Sequence, residues 1–132
     1  MIIEINIQTK SKNEMKDITA DIRTAVEKSG IENGIAVIYN PHTTAAITIN
    51  EGADPDVQRD ILEILKKQYP LTGDYRHSEG NSDAHIKSAL IGSDRTVPVR
   101  NGRLMLGTWQ KIFFCEFDGP RQRNFIISIL SC

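Results

Sequence analysis

Cysteine is nearly absent from this 132-residue chain: there are two, Cys115 inside an apolar run and Cys132 at the end. Two thiols so placed are no disulfide framework, and no CxxC pair marks a structural zinc site, so both read as reduced thiols. An excess of one charge is missing too. Sixteen Lys and Arg against seventeen Asp and Glu leave a formal net charge of −1, which gives no global field to attract nucleic acid or an anionic membrane. No apolar run approaches the roughly 20 residues of a membrane span. Met1 to Asn6 lacks the basic start and long apolar core of a signal peptide. Also absent are repeats, low-complexity tracts and the Gly-rich loop of P-loop proteins. These absences leave one cytoplasmic domain over residues 1–132, with no nucleic acid and no membrane as partner, and 39% hydrophobic residues suffice for a core.

Residues 2–8 alternate Ile3, Ile5 and Ile7 with polar neighbours, the pattern of a half-buried strand. Ser11 with Glu14 fits a capping box that opens a helix through Met15, Ile18, Ile22, Ala25 and Val26 to a C-terminal Gly30. The run Gly34–Tyr39 predicts a central strand covered on both faces. Asn40-Pro41 turns the chain into a second strand over 44–51, whose small residues Thr44, Ala46 and Thr48 suit a pocket wall. Asp54 and Pro55 start a helix with a buried stripe of Val57, Ile61, Ile64 and Leu65, and Pro70 stops it. Ser82 caps a short third helix that ends at Gly92. Beyond Arg95 everything reads as strand: an edge piece holding Pro98, a hairpin turn at Asn101-Gly102, then strands over 111–117 and 124–130. The fold class is α+β with mixed or antiparallel sheets, two main helices and one short helix.

The chemistry concentrates in polar stretches. All three histidines lie in turn-associated segments: His42 after Asn-Pro, and His77 and His85 flanking Glu79-Gly80-Asn81. Each alone has a plain explanation as a turn cap or surface residue. Together they could share a divalent metal, zinc or magnesium, because neutral imidazole is the commonest metal ligand. Free N–H groups at the start of the third helix suit a phosphate oxygen. Asp83 is also explained by the macrodipole at that helix start. Glu116 interrupts the apolar face of Ile112 and Phe114, and Arg121 or Arg123 beyond the Asp118-Gly119-Pro120 turn would pair with it. Cys115, between Phe113 and Phe117 on the other face, reads as core. Trp109, flanked by Gly107-Thr108 and Gln110, is either core or a stacking wall for a heterocycle.

The motifs His42-Thr43-Thr44-Ala45-Ala46 with Asn50-Glu51, then HSEGNSDAHIK from His77 to Lys87, Gly102-Arg103-Leu104, Gly107-Thr108-Trp109-Gln110 and Phe117-Asp118-Gly119-Pro120-Arg121 together resemble the YjbQ-like family, also called the secondary thiamine-phosphate synthase family. The resemblance implies a β-sandwich-like α+β fold, a homotrimer and histidines at or near a metal. It also implies a weak, secondary ability to join a pyrimidine diphosphate to a thiazole phosphate. Such a reaction displaces pyrophosphate and needs charge stabilisation on the leaving group. The candidate set is then His42, His77 and His85 for metal, Glu79, Asp83 and Arg121 for catalysis, and Asn81, Lys87 and Trp109 for holding a small phosphorylated or anionic ligand. The alternative is a non-catalytic trimeric module that binds a small ligand or metal, or serves a structural role.

Overall fold

The computed structural model describes residues 1–132 as three helices and eight strands. In chain order these are β1 Ile2–Gln8, β2 Glu14–Asp17, α1 Thr19–Ser29, β3 Gly34–Tyr39, β4 Ala45–Glu51, α2 Pro55–Gln68, α3 Ser82–Ile91, β5 Asp94–Arg100, β6 Arg103–Leu104, β7 Gln110–Glu116 and β8 Gln122–Ser131. Two wholly antiparallel sheets result, a five-stranded one in the order β1-β8-β3-β5-β6 and a three-stranded one in the order β2-β7-β4. The fold is the expected α+β sandwich.

The main core lies between the inner faces of the two sheets. Ile7, Ala36, Ile38, Val97, Phe125 and Ile127 from the large sheet meet Ala45, Ile47, Ile112 and Phe114 from the small one, and Ile22 and Val26 of α1 close one end. A second core occupies the outer face of the small sheet, where Phe113, Cys115 and Phe117 pack with Ala46, Ala84 and the half-buried Leu62 and Leu65. The alternation of β7 thus serves two layers at once. Cys115 is core, as expected, and burial pushes its thiol up to about 12, against a small opposing effect of Arg95.

Local turn chemistry behaves as the sequence predicts. Asp54 accepts the Asp56 N–H at 2.9 Å and starts α2. Asn101 and Gly102 have φ of 52° and 73°, the left-handed pair that a two-residue hairpin between β5 and β6 requires. The edge position expected from Pro98 is corrected: β5 lies between β3 and β6, and proline is tolerated because its carbonyl, and hence the N–H it lacks, faces Met105 just beyond the two-residue β6.

Four further expectations are corrected. The segment from Ser11 does not begin a helix: Glu14 reaches back to the Lys10 N–H at 2.6 Å, but residues 14–17 form β2 and α1 starts only at Thr19. Pairing with β7 decides that segment. The stripe of α2 contains no fully buried residue; Ile64 is 52% exposed, and Leu62 does the packing in its place. Ala46 is small because Ala84 of α3 lies against it, so this face of β4 is not a pocket wall. Finally, β3 is covered on its inner face only, leaving Ile35 and Val37 half-buried and Tyr39 exposed. No helix is long and apolar enough to cross a membrane.

Candidate functional site

His77 and His85 come together. Their rings meet edge to face with centroids 5.4 Å apart, in a cavity of about 420 Å³ lined also by Asp74, Tyr75, Arg76, Ser82 and Ile86. His85 projects from the first turn of α3, and His77 from the irregular stretch that leads into that helix. His85 also lines a neighbouring cavity of about 390 Å³ together with His42, Thr43, Ser88 and Ser93. The three histidines therefore border two adjacent cavities, the halves of one region, with His85 common to both linings.

The connection from β3 to β4 that carries His42 is tied down by a buried amide. Asn40 accepts the His42 N–H at 3.0 Å and donates to the carbonyls of His42 at 3.1 Å and Ala45 at 2.8 Å. Asn before a turn satisfies local backbone groups in this way. Ser88 of α3 donates to the same Ala45 carbonyl, which fixes α3 against the start of β4. The His42 Nε2 accepts the backbone N–H of Asn124 at 3.0 Å. Register explains this contact. The β3–β8 pairing ends at Tyr39 opposite Ile126, so a β8 amide beyond that point has no partner on the β3 side, and the imidazole takes its place.

Arg123, next to Asn124, points inward instead. It donates from Nε to Glu116 Oε1 at 2.8 Å and from Nη2 to Thr44 Oγ1 at 2.8 Å. Burial would raise the Glu116 carboxyl, but Arg123, the Asp118 N–H and the Thr9 hydroxyl together hold it below its ordinary 4.5. Of the two expected partners Arg123 is the one used, and the pair is structural. It also braces Thr44, two residues from His42.

Asp83 and Lys87 lie on the face of α3 away from His85. Lys87 is 1% exposed, with its Nζ 3.2 Å from Asp83 Oδ2 and 5.9 Å from the Phe117 ring centroid. Lys12 bonds the same Asp83 oxygen at 2.8 Å. Desolvation would raise the Asp83 carboxyl, but the two ammonium groups hold it below 3.8; desolvation lowers Lys87, opposed by Asp83. Asp83 Oδ1 has no protein partner, and the start of α3 supplies the compensating positive potential. Neither residue lines the histidine cavities of the single chain.

Asn81 stands at the N-cap position of α3 without capping it. Its amide donates to Glu79 at 2.8 Å and Asp118 at 2.9 Å, and Arg121 pairs with Asp118 at 3.1 Å. Glu79, Asn81 and Arg121 thus form a polar chain at the His77 end of α3. Ser82, expected as the cap, lies one residue inside the helix and lines the cavity. Trp109 is elsewhere. Its carbonyl accepts the Gly52 N–H beyond the far end of β4, and the length of this seven-residue strand lies between that end and the Ser88 contact at Ala45, about 20 Å. Within one chain it does not border the histidine cavities; it is 63% exposed.

No three His, Cys, Asp or Glu side chains of one chain stand close enough to share a metal. His77 and His85 fit such a role as a pair, with ring nitrogens not taken by any protein hydrogen bond. His42 does not fit in the same way, because its Nε2 is occupied. Sequence reasoning missed Asn40, Arg76 and Asn124. Asn40 was legible as a turn-forming Asx residue; Asn124 acts through its backbone and leaves no side-chain signal.

A family model described as UPF0047 protein YjbQ-like matches residues 3–132. Among curated relatives, a UPF0047 protein of Methanocaldococcus jannaschii is 51% identical over 130 residues, covering 98% of this chain and 94% of its own. UPF0047 protein YugU of Bacillus subtilis is 50% identical, with 98% and 99% covered. The crystal structure of an uncharacterized conserved protein of the YjbQ/UPF0047 family from Clostridium acetobutylicum superposes with a TM-score of 0.96 at 53% identity, covering 97% and 99% of the two chains. A YbjQ-like protein of unknown function from Sulfolobus solfataricus gives 0.96 at 38% identity, covering 100% and 97%.

Proposed function

The chain belongs to the UPF0047 YjbQ-like family, and from that premise we propose that it is a metal-assisted enzyme acting on a small phosphorylated substrate in the cavity of His77 and His85. The observation that carries the reading is the pairing of two imidazoles 5.4 Å apart beside Arg76, Ser82 and the first turn of α3. Two imidazole nitrogens suit zinc completed by water or substrate oxygens, whereas magnesium would be held chiefly through substrate phosphate oxygens and water. A guanidinium, a hydroxyl and a helix start suit a phosphate. Glu79 and Arg121, linked through Asn81 and Asp118, form a polar chain outside the cavity lining at the start of α3.

The thiamine-phosphate synthase activity implied by the resemblance is the secondary reaction we assign to this cavity. There a thiazole nitrogen forms a bond to the pyrimidine methylene carbon while the carbon–oxygen bond to diphosphate breaks, releasing pyrophosphate. A bound divalent cation would supply neutralisation of the leaving group. Arg76 binds and orients the diphosphate, Ser82 donates to a non-bridging oxygen, and the α3 N-terminus adds its partial positive charge. The test is metal analysis of purified protein, with pyrophosphate release measured for wild type, His77→Ala and His85→Ala. Retention of full metal content and activity by both variants rejects the reading.

A second reading is supported by a different feature. The outer face of the large sheet carries Ile2 (77% exposed), Leu130, Tyr39 and half-buried Ile35, Val37 and Ile126, covered by no helix. An apolar sheet face of this kind suits contact between copies. On this reading the protein is a homotrimer, the number being that of the resemblance, and its role is to present the small-ligand site without catalysis. Metal binding with no turnover of any phosphorylated compound favours it. The two free cysteines accord with a cytoplasmic setting for either reading.

A further inference from the structure

We propose that His42 is a fixed-tautomer hydrogen-bond donor to an anionic oxygen of the ligand, a phosphoryl or carboxylate oxygen, and is not a third metal ligand. The proposal rests on the reading of the histidine cavities as the ligand site and names what one side chain does there. A backbone N–H can only donate, so the Nε2 that stands 3.0 Å from the Asn124 nitrogen must be the accepting nitrogen of its ring. Neutral imidazole carries one proton, which then sits on Nδ1. That atom has no protein partner, yet it is not among the buried polar atoms left without one, so it is accessible to solvent on a residue that lines the cavity. A protonated ring nitrogen donates; it has no lone pair for a metal. Coordination through Nε2 would instead orphan the Asn124 amide where the sheet ladder ends.

The donor is held rigidly. Both backbone groups of His42 are bonded to the side chain of Asn40, which is 1% exposed, and the ring is anchored on β8. A donor fixed in advance stabilises negative charge without reorganisation. Its surroundings suit an anion: Thr43 and Ser93 add hydroxyls, and no carboxylate borders this half of the region. His85, common to both cavities, would place such an oxygen next to whatever His77 and His85 hold. The two halves then divide the work, one pair for a cation and one ring for the anion beside it.

The experiment uses full-length protein labelled with 15N at histidine. Long-range 1H–15N spectra of the metal-free protein report each tautomer; His42 is expected to carry its proton on Nδ1 and to stay unchanged when zinc is added. A proton on Nε2, or zinc bound by His42, overturns the proposal. His42→Gln keeps an accepting oxygen near the Nε2 position and removes the Nδ1 donor. With circular dichroism showing it folded, it is expected to bind zinc within twofold of wild type and pyrophosphate at least tenfold more weakly. Equal pyrophosphate affinity for variant and wild type, or no pyrophosphate binding by wild type, overturns the donor role. A wild-type protein that binds no zinc rejects the metal-assisted reading; the tautomer spectrum and the pyrophosphate titration still decide this one.

Discussion

His85 sits where two cavities meet, edge to face with His77 on one side and sharing a wall with His42 on the other. Removing it touches both halves. His85→Ala is expected to weaken zinc binding by at least tenfold, about 1.4 kcal/mol. His77→Ala should do the same, and both should unfold in urea close to wild type because neither ring belongs to a core cluster. Calorimetric zinc titration beside urea unfolding checks this; zinc affinity unchanged in both variants refutes it.

The buried Glu116–Arg123 pair makes a stability prediction. Arg123→Ala leaves a carboxylate that is fully buried without its charged partner, a loss of about 3–5 kcal/mol. The double variant Glu116→Gln, Arg123→Met removes both charges and should recover part of that loss. Urea midpoints of the single and double variants measure it. A double variant no more stable than the single one would show that the pair is not the source.

Acid should act through the same residues. Glu116 and Asp83 are held below their ordinary 4.5 and 3.8 in the folded state, so below those values the unfolded chain binds more protons than the folded one. Their contribution is present above about pH 4.5 and is lost as pH falls through the depressed folded values. Urea midpoints should therefore drop between pH 5 and pH 3, by roughly those limits, and drop less steeply in Glu116→Gln. The same slope in wild type and variant counts against the assignment.

Gly34 is a packing prediction. A β carbon there would run into the backbone carbonyl of Leu130 on the neighbouring strand. Backbone cannot swing aside as a flexible side chain can, so Gly34→Ala should cost about 1–3 kcal/mol, the range for overpacking. Thermal unfolding checks it; an unchanged midpoint would mean that β3 and β8 lie farther apart than described.

What could be read from the sequence was whatever is decided locally. The α2 helix was legible from Asp54-Pro55 and Pro70, and the β5–β6 turn from Asn101-Gly102, because caps and turns are settled by a few adjacent residues. The β2 segment was not. Ser11 and Glu14 have capping-box spacing, and Glu14 does reach back to a backbone amide, but residues 14–17 become a strand because β7 offers them a ladder. The site divides in the same way. His77 and His85 are eight residues apart around one turn, so their meeting was legible. The attachment of His42 to Asn124 depends on where β3 stops along β8, a register that no local pattern encodes. The placement of Asp83 and Lys87 was half legible for a related reason: i,i+4 spacing shows that they share a helix face, and only the packing shows that this face is the buried one.

In the large sheet the first and last strands of the chain are neighbours, and β8 is the strip that joins β1 to β3. During synthesis the two halves of that sheet have nothing between them until residues 122–131 leave the ribosome, and Asn124, which holds His42, comes with them. Nascent chains lacking this strand would expose two open sheet edges at once, the condition under which strands pair with the wrong partner. The contact that fixes His42 therefore forms in the same event that seals the sheet.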